Sequence, residues 1–153
     1  MKKQISFKLN GEKRSLDIDP SEVLLEVLRD KLGVKSTKCG CERGDCGTCT
    51  VMINGRTVRS CMILAIEVDG QSVVTLEGLM KDDLTLLQKK FIEHNSFQCG
   101  YCTPGVIMSA TELLNSNPKP STEEIKEALG GNLCRCTGYS SIINAIKDIV
   151  NED

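Results

Sequence analysis

Nine cysteines in a chain of 153 residues constrain this protein more than any other feature of its sequence. An odd number of thiols does not allow full disulfide pairing. The N-terminal residues MKKQISFKLNG carry no apolar segment of the kind found in secretory signals, so a cytoplasmic location is expected. Because disulfides are rare in a reducing compartment, the cysteine pattern favours metal ligation.

Composition limits the classes of partner and of fold. The formal net charge is −2, which gives no electrostatic reason to expect a nucleic acid or an anionic membrane as partner. No apolar run approaches the length of a membrane span, so no membrane insertion is expected. Aromatic residues make up only 3% of the chain, and small cores of this kind usually need metals or partners for stability.

The N-terminal half has the pattern of a small α+β domain. Asn10-Gly11 and Asn54-Gly55 each separate two alternating segments, which predicts two β-hairpins. Between them, Asp19 and Pro20 predict the start of a helix that ends at Gly33. A last strand is predicted over residues 72–79. These elements suggest a β-grasp domain of the plant-type ferredoxin kind over residues 1–79.

Residues 80–153 show only helical patterns and are expected to form a four-helix bundle domain. The predicted helices cover about residues 84–94, 103–115, 121–129 and 140–150. An arrangement of helix, two-cysteine loop and helix occurs twice, with the loops SFQCGYCT and GGNLCRCTGY. If both loops lie at the same end of the bundle, their four cysteines converge.

The first set of thiols has strong metal-ligand spacing: Cys41, Cys46, Cys49 and Cys61. Three of them follow the C-x4-C-x2-C pattern of plant-type [2Fe–2S] ferredoxins. Gly40, Gly44 and Gly47 are expected to allow sharp turns and to let N–H groups approach the sulfurs. Four structural zinc ligands are the alternative, although zinc sites usually pair two short Cys-containing elements.

The second set comprises Cys99, Cys102, Cys134 and Cys136. A two-iron cluster presents two edges, so one pair of thiolates could serve each iron. Both pairs precede a predicted helix, whose N-terminal dipole would stabilise thiolates. Arg135 could add positive charge to the site, or it could be a solvated charge or a partner contact.

Two further residues have simpler interpretations. Cys39 is interpreted as a small bystander side chain, with an alternative ligand as the rival interpretation. His94, the only histidine, is predicted at a helix end and is assigned a structural or surface role. No catalytic acid, base or nucleophile is evident in the chain.

Four motifs together carry a resemblance that extends over nearly the whole chain. They are CERGDCGTCTV from Cys41, TLEGL from Thr75, QCGYCTPG from Gln98 and GNLCRCTGY from Gly131. In this order they resemble the iron–sulfur subunit of molybdenum hydroxylases, the family of xanthine dehydrogenase, aldehyde oxidoreductase and carbon monoxide dehydrogenase. Cys39 departs from the family pattern, in which another residue is usual.

The resemblance implies two [2Fe–2S] clusters, an N-terminal ferredoxin-like domain and a C-terminal helical domain of pseudo-twofold symmetry. It implies that Gln98 and Cys136 contact a molybdenum–pterin cofactor held mainly by a large partner subunit. It also implies a medium subunit that holds FAD, so that the assembly would be a heterotrimer or its dimer.

The predicted function is an electron-transfer subunit that relays electrons from the molybdenum–pterin site to FAD. Two alternatives from other classes remain open at this point. One is a free double-cluster ferredoxin that carries electrons between soluble partners, and the other is a zinc-stabilised interaction module.

Overall fold

The computed structural model describes residues 1–151 and shows a mixed α+β protein with two main hydrophobic clusters. One cluster lies between the sheet and the first helix, and the other lies among the C-terminal helices. Among the described residues, no helix is both long enough and apolar enough to cross a membrane.

Five strands form one sheet in the order β2-β1-β5-β3-β4. Their bounds are Lys3–Leu9 (β1), Glu12–Ile18 (β2), Thr50–Ile53 (β3), Arg56–Arg59 (β4) and Ser72–Val74 (β5). The pair β1 and β5 is parallel, and the other neighbouring pairs are antiparallel. Both Asn-Gly pairs have positive φ at each residue, which is the geometry of the predicted hairpin turns.

The first helix starts later than the sequence predicts. Helix α1 covers Leu24–Glu26 and continues as a π-helical turn over Val27–Lys31. Asp19 caps a preceding turn instead, because its carboxylate accepts from the Ser21 N–H at 3.0 Å. The reason is tertiary, since the Leu24 N–H donates to the Ile63 carbonyl at 2.7 Å and holds the preceding residue in an extended bridge.

The last strand is shorter than predicted. β5 ends at Val74, and Leu76–Gly78 form a 3₁₀ turn. The Thr75 N–H donates to the Asn10 side chain at 2.8 Å rather than to a neighbouring strand. Leu76 and Leu79 then pack against the helical cluster, so the segment after β5 joins the second core.

Four helices form the C-terminal part, with bounds close to those predicted: Leu86–Glu93 (α2), Thr103–Ser116 (α3), Thr122–Leu129 (α4) and Ser140–Asn151 (α5). Ser121 forms the predicted capping box with Glu124 at the start of α4. α2 packs mainly against α5, and α3 packs equally against α4 and β3. His94, which follows α2, and Lys90 of α2 contact Asp148 of α5 at 3.2 Å and 3.0 Å, in keeping with the structural or surface role predicted for His94.

The two cores meet where α3 lies against the start of β3, at glycines that allow very close packing. A Cβ added at Gly105 of α3 would lie 2.2 Å from the Gly47 carbonyl oxygen, and one at Gly47 would lie 2.2 Å from the Gly131 oxygen. Such distances are closer than nonbonded atoms allow, so these positions require glycine.

Polar side chains hold the same contact together. Asn132 is 1% exposed, donates through Nδ2 to the Gly47 carbonyl at 3.2 Å and accepts through Oδ1 from Ser109 at 2.7 Å. Arg59 of β4 donates to the Gly131 carbonyl at 2.7 Å. One buried and one partly buried hydrogen bond therefore join the two parts at this contact.

Gly105→Ala should destabilise the protein, although alanine normally favours a helix interior by about 1 kcal/mol. The new methyl group would push against the Gly47 backbone, and overpacking of this kind costs about 1–3 kcal/mol. Thermal and urea unfolding would measure the loss. Asn115→Ala, at an exposed position of the same helix, is the control and should not destabilise. A Gly105→Ala protein as stable as the parent would contradict the close contact.

Candidate iron–sulfur centres

The first set of thiols lies on the irregular loop before β3 and on the turn after β4. Cys49 and Cys61 are 2% and 8% exposed and pack together with Leu25. Ser60 holds the two segments in place, because its N–H and its hydroxyl both donate to the Cys49 carbonyl, at 3.2 Å and 2.7 Å. Cys41 and Cys46 lie on the less buried side of the loop.

Backbone N–H groups of this loop point at the sulfurs. The Cys46 N–H lies 3.4 Å from Cys41 Sγ. Together with the Arg43 N–H, it lowers the pKa of the Cys41 thiol to about 7 in the metal-free chain. Burial, and then the hydrogen bond with Cys49, raises the pKa of Cys61 to about 11. The loop therefore offers fixed dipoles to negative charge on sulfur, as a cluster with thiolate ligands requires.

The second set is brought together by the loops α2–α3 and α4–α5, which lie next to each other in the helical part. Cys136 Sγ lies 3.5 Å from Cys99 Sγ, and the thiols of Cys102 and Cys134 are close enough for each to shift the pKa of the other. Each contact joins one thiol from each loop, rather than two thiols of the same loop. The sequence suggests one pair within each loop, whereas the contacts in the folded chain pair a thiol of one loop with a thiol of the other.

Each of these pairs contains one thiol of raised pKa and one of lowered pKa. Burial, and then donation to Cys134, raises the pKa of Cys102 to about 12. Burial opposes ionisation of Cys134 too, but hydrogen bonds from Thr137 outweigh it and lower the Cys134 pKa. The predicted thiolate stabilisation at a helix N-terminus is therefore not seen at Cys102, the N-cap of α3, because burial dominates there.

The two edges of the second set differ in exposure. Cys99 and Cys136 are exposed, whereas Cys102 is buried and Cys134 is partly buried. Gln98 lies beside the exposed edge, and its Nε2 donates to the Cys136 carbonyl at 3.0 Å. That bond uses one of the two N–H groups on Nε2, and it orients the side chain at the surface where Cys136 lies.

The donor sets fit a two-iron cluster better than a single ion. Among residues 1–151, no three His, Cys, Asp or Glu side chains are arranged to hold one metal ion. A [2Fe–2S] cluster distributes four thiolates over two irons, so pairs of sulfurs are the geometry that it needs. Cys99 and Cys136 form such a pair at 3.5 Å. Two more pairs are consistent with the pKa values of Cys102 and Cys61, which are raised by burial and then by the neighbouring thiol, Cys134 and Cys49 respectively.

Cys39 lies beside the first set of thiols, but its hydrogen bonds are to residues outside that set. Its thiol donates to the Glu42 carboxylate at 2.9 Å, and this bond raises the pKa of Cys39 to about 11. Its carbonyl accepts from the Tyr101 hydroxyl at 2.5 Å. A protonated thiol that points at a carboxylate is poorly prepared for ligation, so the bystander interpretation is kept as the prediction.

Sequence reasoning missed the residues that shape the second loop. Tyr139 has a positive φ of 64°, and its hydroxyl accepts from the Cys134 N–H at 2.7 Å and donates to the Asn132 carbonyl at 2.9 Å. Thr137 donates through Oγ1 to Cys134 Sγ at 3.1 Å. Both stand in the CRCTGY motif, but no sequence rule predicts a left-handed tyrosine. Arg135 is exposed, which leaves both of its interpretations open.

Cys39→Ala should leave the iron content unchanged, at about four irons per chain if each set holds one two-iron cluster. Cys49→Ala should remove about two of them, because it deletes a buried thiol of the first set. Iron and acid-labile sulfide analysis of anaerobically prepared protein measures both. Loss of a cluster in the Cys39 variant would overturn the bystander assignment.

Two protein-family models match the chain, and together they extend over most of it. A model described as "2Fe-2S iron-sulfur cluster binding domain" matches residues 7–78, and one described as "[2Fe-2S] binding domain" matches residues 75–147. The first match contains all four thiols of the first set, and the second contains all four of the second set.

Two curated relatives match this chain over most of both lengths. The nicotine 6-hydroxylase small subunit of Paenarthrobacter nicotinovorans is 48% identical over 95% of this chain and 88% of its own. The nicotinate dehydrogenase small FeS subunit of Eubacterium barkeri is 49% identical over 94% of this chain and 92% of its own.

The fold is similar to that of a chain in the crystal structure of quinoline 2-oxidoreductase from Pseudomonas putida 86. The TM-score is 0.95 at 44% identity, and the match covers 99% of this chain and 94% of the other. With these relatives and both [2Fe–2S] domain models, the chain belongs to the family of small iron–sulfur subunits of molybdenum-dependent hydroxylases and dehydrogenases.

Proposed function

We propose that this protein relays electrons from a molybdenum–pterin site in a large subunit to FAD in a further subunit, through two [2Fe–2S] clusters. The ligands proposed are Cys41, Cys46, Cys49 and Cys61 for one cluster and Cys99, Cys102, Cys134 and Cys136 for the other. Residues 1–79 and 80–153 are the proposed binding domains. Each cluster, when bound, supplies a one-electron carrier, while the chain supplies ligands, spacing and electrostatics.

The observation that carries this proposal is a direct backbone link between the two sets of thiols. The Leu133 N–H donates to the Cys46 carbonyl at 2.9 Å. Leu133 immediately precedes Cys134 in the chain, so one hydrogen bond connects a thiol-bearing residue of the first set to the neighbour of one in the second. A second link, from the Tyr101 hydroxyl to the Cys39 carbonyl, joins the loop of the first set to the α2–α3 loop, which carries Cys99 and Cys102.

The exposure of the thiols indicates the direction of electron transfer along this link. The Cys102–Cys134 edge is the more buried one and adjoins Leu133, which contacts the first set. The Cys99–Cys136 edge is exposed and lies beside Gln98. One edge is therefore open to a partner while the other faces the interior, as a relay requires.

Gln98 and Cys136 are the residues proposed to contact the pterin of the large subunit. The amide of Gln98 can donate and accept hydrogen bonds at once, which suits the edge of a pterin ring. Its bond to the Cys136 carbonyl holds the side chain close to the exposed thiol edge. Electrons would then enter at Cys136, leave the second set at Cys134 and reach the first set at Cys46.

Iron and sulfide analysis together with EPR of the dithionite-reduced protein tests this function. About four irons and two distinct S = 1/2 signals are expected, because each two-iron cluster takes up one electron. A colourless zinc protein would contradict the proposal. A stable monomer that exchanges electrons without any large subunit would indicate a free ferredoxin instead.

Leu133→Pro should slow electron transfer between the two centres, because proline has no N–H to donate to Cys46. Freeze-quench EPR after mixing the assembled complex with its reducing substrate would follow the two signals. Leu133→Ala is the matched control, since it removes the exposed side chain but keeps the N–H. Iron analysis must first show that the proline variant retains its full iron content. If that variant then transfers electrons as fast as the alanine variant, the hydrogen bond from Leu133 to Cys46 is not the electron-transfer route.

A further inference from the structure

We propose that Thr137 is a positioning residue that sets the reduction potential of the centre held by the second set of thiols. Its hydroxyl donates a hydrogen bond to Cys134 Sγ and thereby stabilises the reduced state. This inference rests on the proposed function, because it requires a cluster at that set.

The hydrogen-bond geometry determines which way the hydroxyl points. Thr137 Oγ1 lies 3.1 Å from Cys134 Sγ and accepts from the Tyr139 N–H at 3.4 Å. A hydroxyl has a single proton, and here the backbone N–H approaches its lone pairs. The proton is therefore directed at the sulfur, where the Thr137 N–H at 3.5 Å adds a second, weaker donor.

Tyr139 holds this arrangement through an unusual backbone conformation. Its φ of 64° lies in the left-handed region, which non-glycine residues rarely adopt. Such strain persists only where the surroundings enforce it. The Tyr139 hydroxyl supplies that constraint, since it bonds to the Cys134 N–H at 2.7 Å and to the buried residue Asn132 at 2.9 Å.

The comparable threonine in the first set is not directed in the same way. Thr48 Oγ1 lies 3.2 Å from Cys46 Sγ, but it also donates to the Lys38 carbonyl at 3.3 Å. The single hydroxyl proton of Thr48 can bond to either acceptor, so its geometry does not require a hydrogen bond to Cys46 Sγ. Thr137 therefore acts on the second set alone, at the thiol that adjoins the Leu133 link to Cys46.

The sign of the effect follows from charge. Reduction of a four-thiolate cluster adds one negative charge, part of which resides on the sulfur ligands. A hydrogen-bond donor stabilises the more negative sulfur more strongly, so it raises the reduction potential. Thr137 thus makes the second centre a better electron acceptor from the partner. It also reduces the driving force for electron transfer from the second centre to the first.

The test is an EPR-monitored redox titration of the iron-loaded protein with dithionite as reductant. In Thr137→Val, which keeps the side-chain shape but removes the donor, one of the two signals should titrate at a lower potential. The net contribution of a hydrogen bond of typical strength predicts that, in Thr137→Val, the equilibrium constant for electron transfer from the second centre to the first rises about three- to tenfold. Thr137→Ser keeps the hydroxyl and should restore the potential.

Thr111→Val provides the matched control, because that hydroxyl bonds only within α3, to the Ile107 carbonyl at 2.7 Å. It should move neither signal. The inference is overturned if Thr137→Val leaves both potentials unchanged, or if the serine variant shifts as far as the valine variant. If the valine variant loses iron, Thr137→Ala replaces it, because alanine removes the same donor without added bulk. An unchanged potential of both signals in the alanine variant would likewise overturn the inference.

The two proposals fail separately. Absence of a second signal in the parent protein would contradict the proposed function. Two intact signals with an unmoved potential in the Thr137 variants would contradict only the role of Thr137.

Discussion

The contact between the Gly47 and Gly105 backbones is the constraint on which the rest of the structure depends. It brings the loop of the first set of thiols against the start of α3, at a distance that no larger residue permits. Asn132 then reaches Gly47, and Leu133 reaches Cys46, from the loop of the second set. Without that approach, each set could still form locally, but no backbone link would join them.

Around this contact, the thiols are arranged by burial as well as by distance. Near the interface, Cys102 is buried and Cys134 and Cys46 are partly buried, whereas Cys99 and Cys136 are exposed. A lower local dielectric strengthens a hydrogen bond to sulfur, so Thr137 has more influence at the partly buried Cys134 than a donor would have at the exposed edge. The exposed edge is left for recognition by a partner, with Gln98 already oriented beside it.

Local sequence rules predict much of the fold but fail where a distant segment intervenes. The Asn-Gly turns and the capping box at Ser121 form as predicted, because their hydrogen bonds lie within a few residues. The start of α1 was misplaced since Ile63, far along the chain, pairs with Leu24. β5 ended early for a similar reason, as Asn10 takes the N–H of Thr75.

For the candidate site, the cysteine spacing by itself predicted the two sets of thiols and favoured iron–sulfur over zinc chemistry. The spacing could support that prediction because the number of candidate ligands and their separation in the sequence can be read directly from it. Only the tertiary structure decided that Cys99 lies against Cys136 and Cys102 against Cys134, and that one edge faces inward. It also revealed the roles of Leu133, Thr137 and Tyr139, because these depend on hydrogen bonds whose directions are set by how the loops pack.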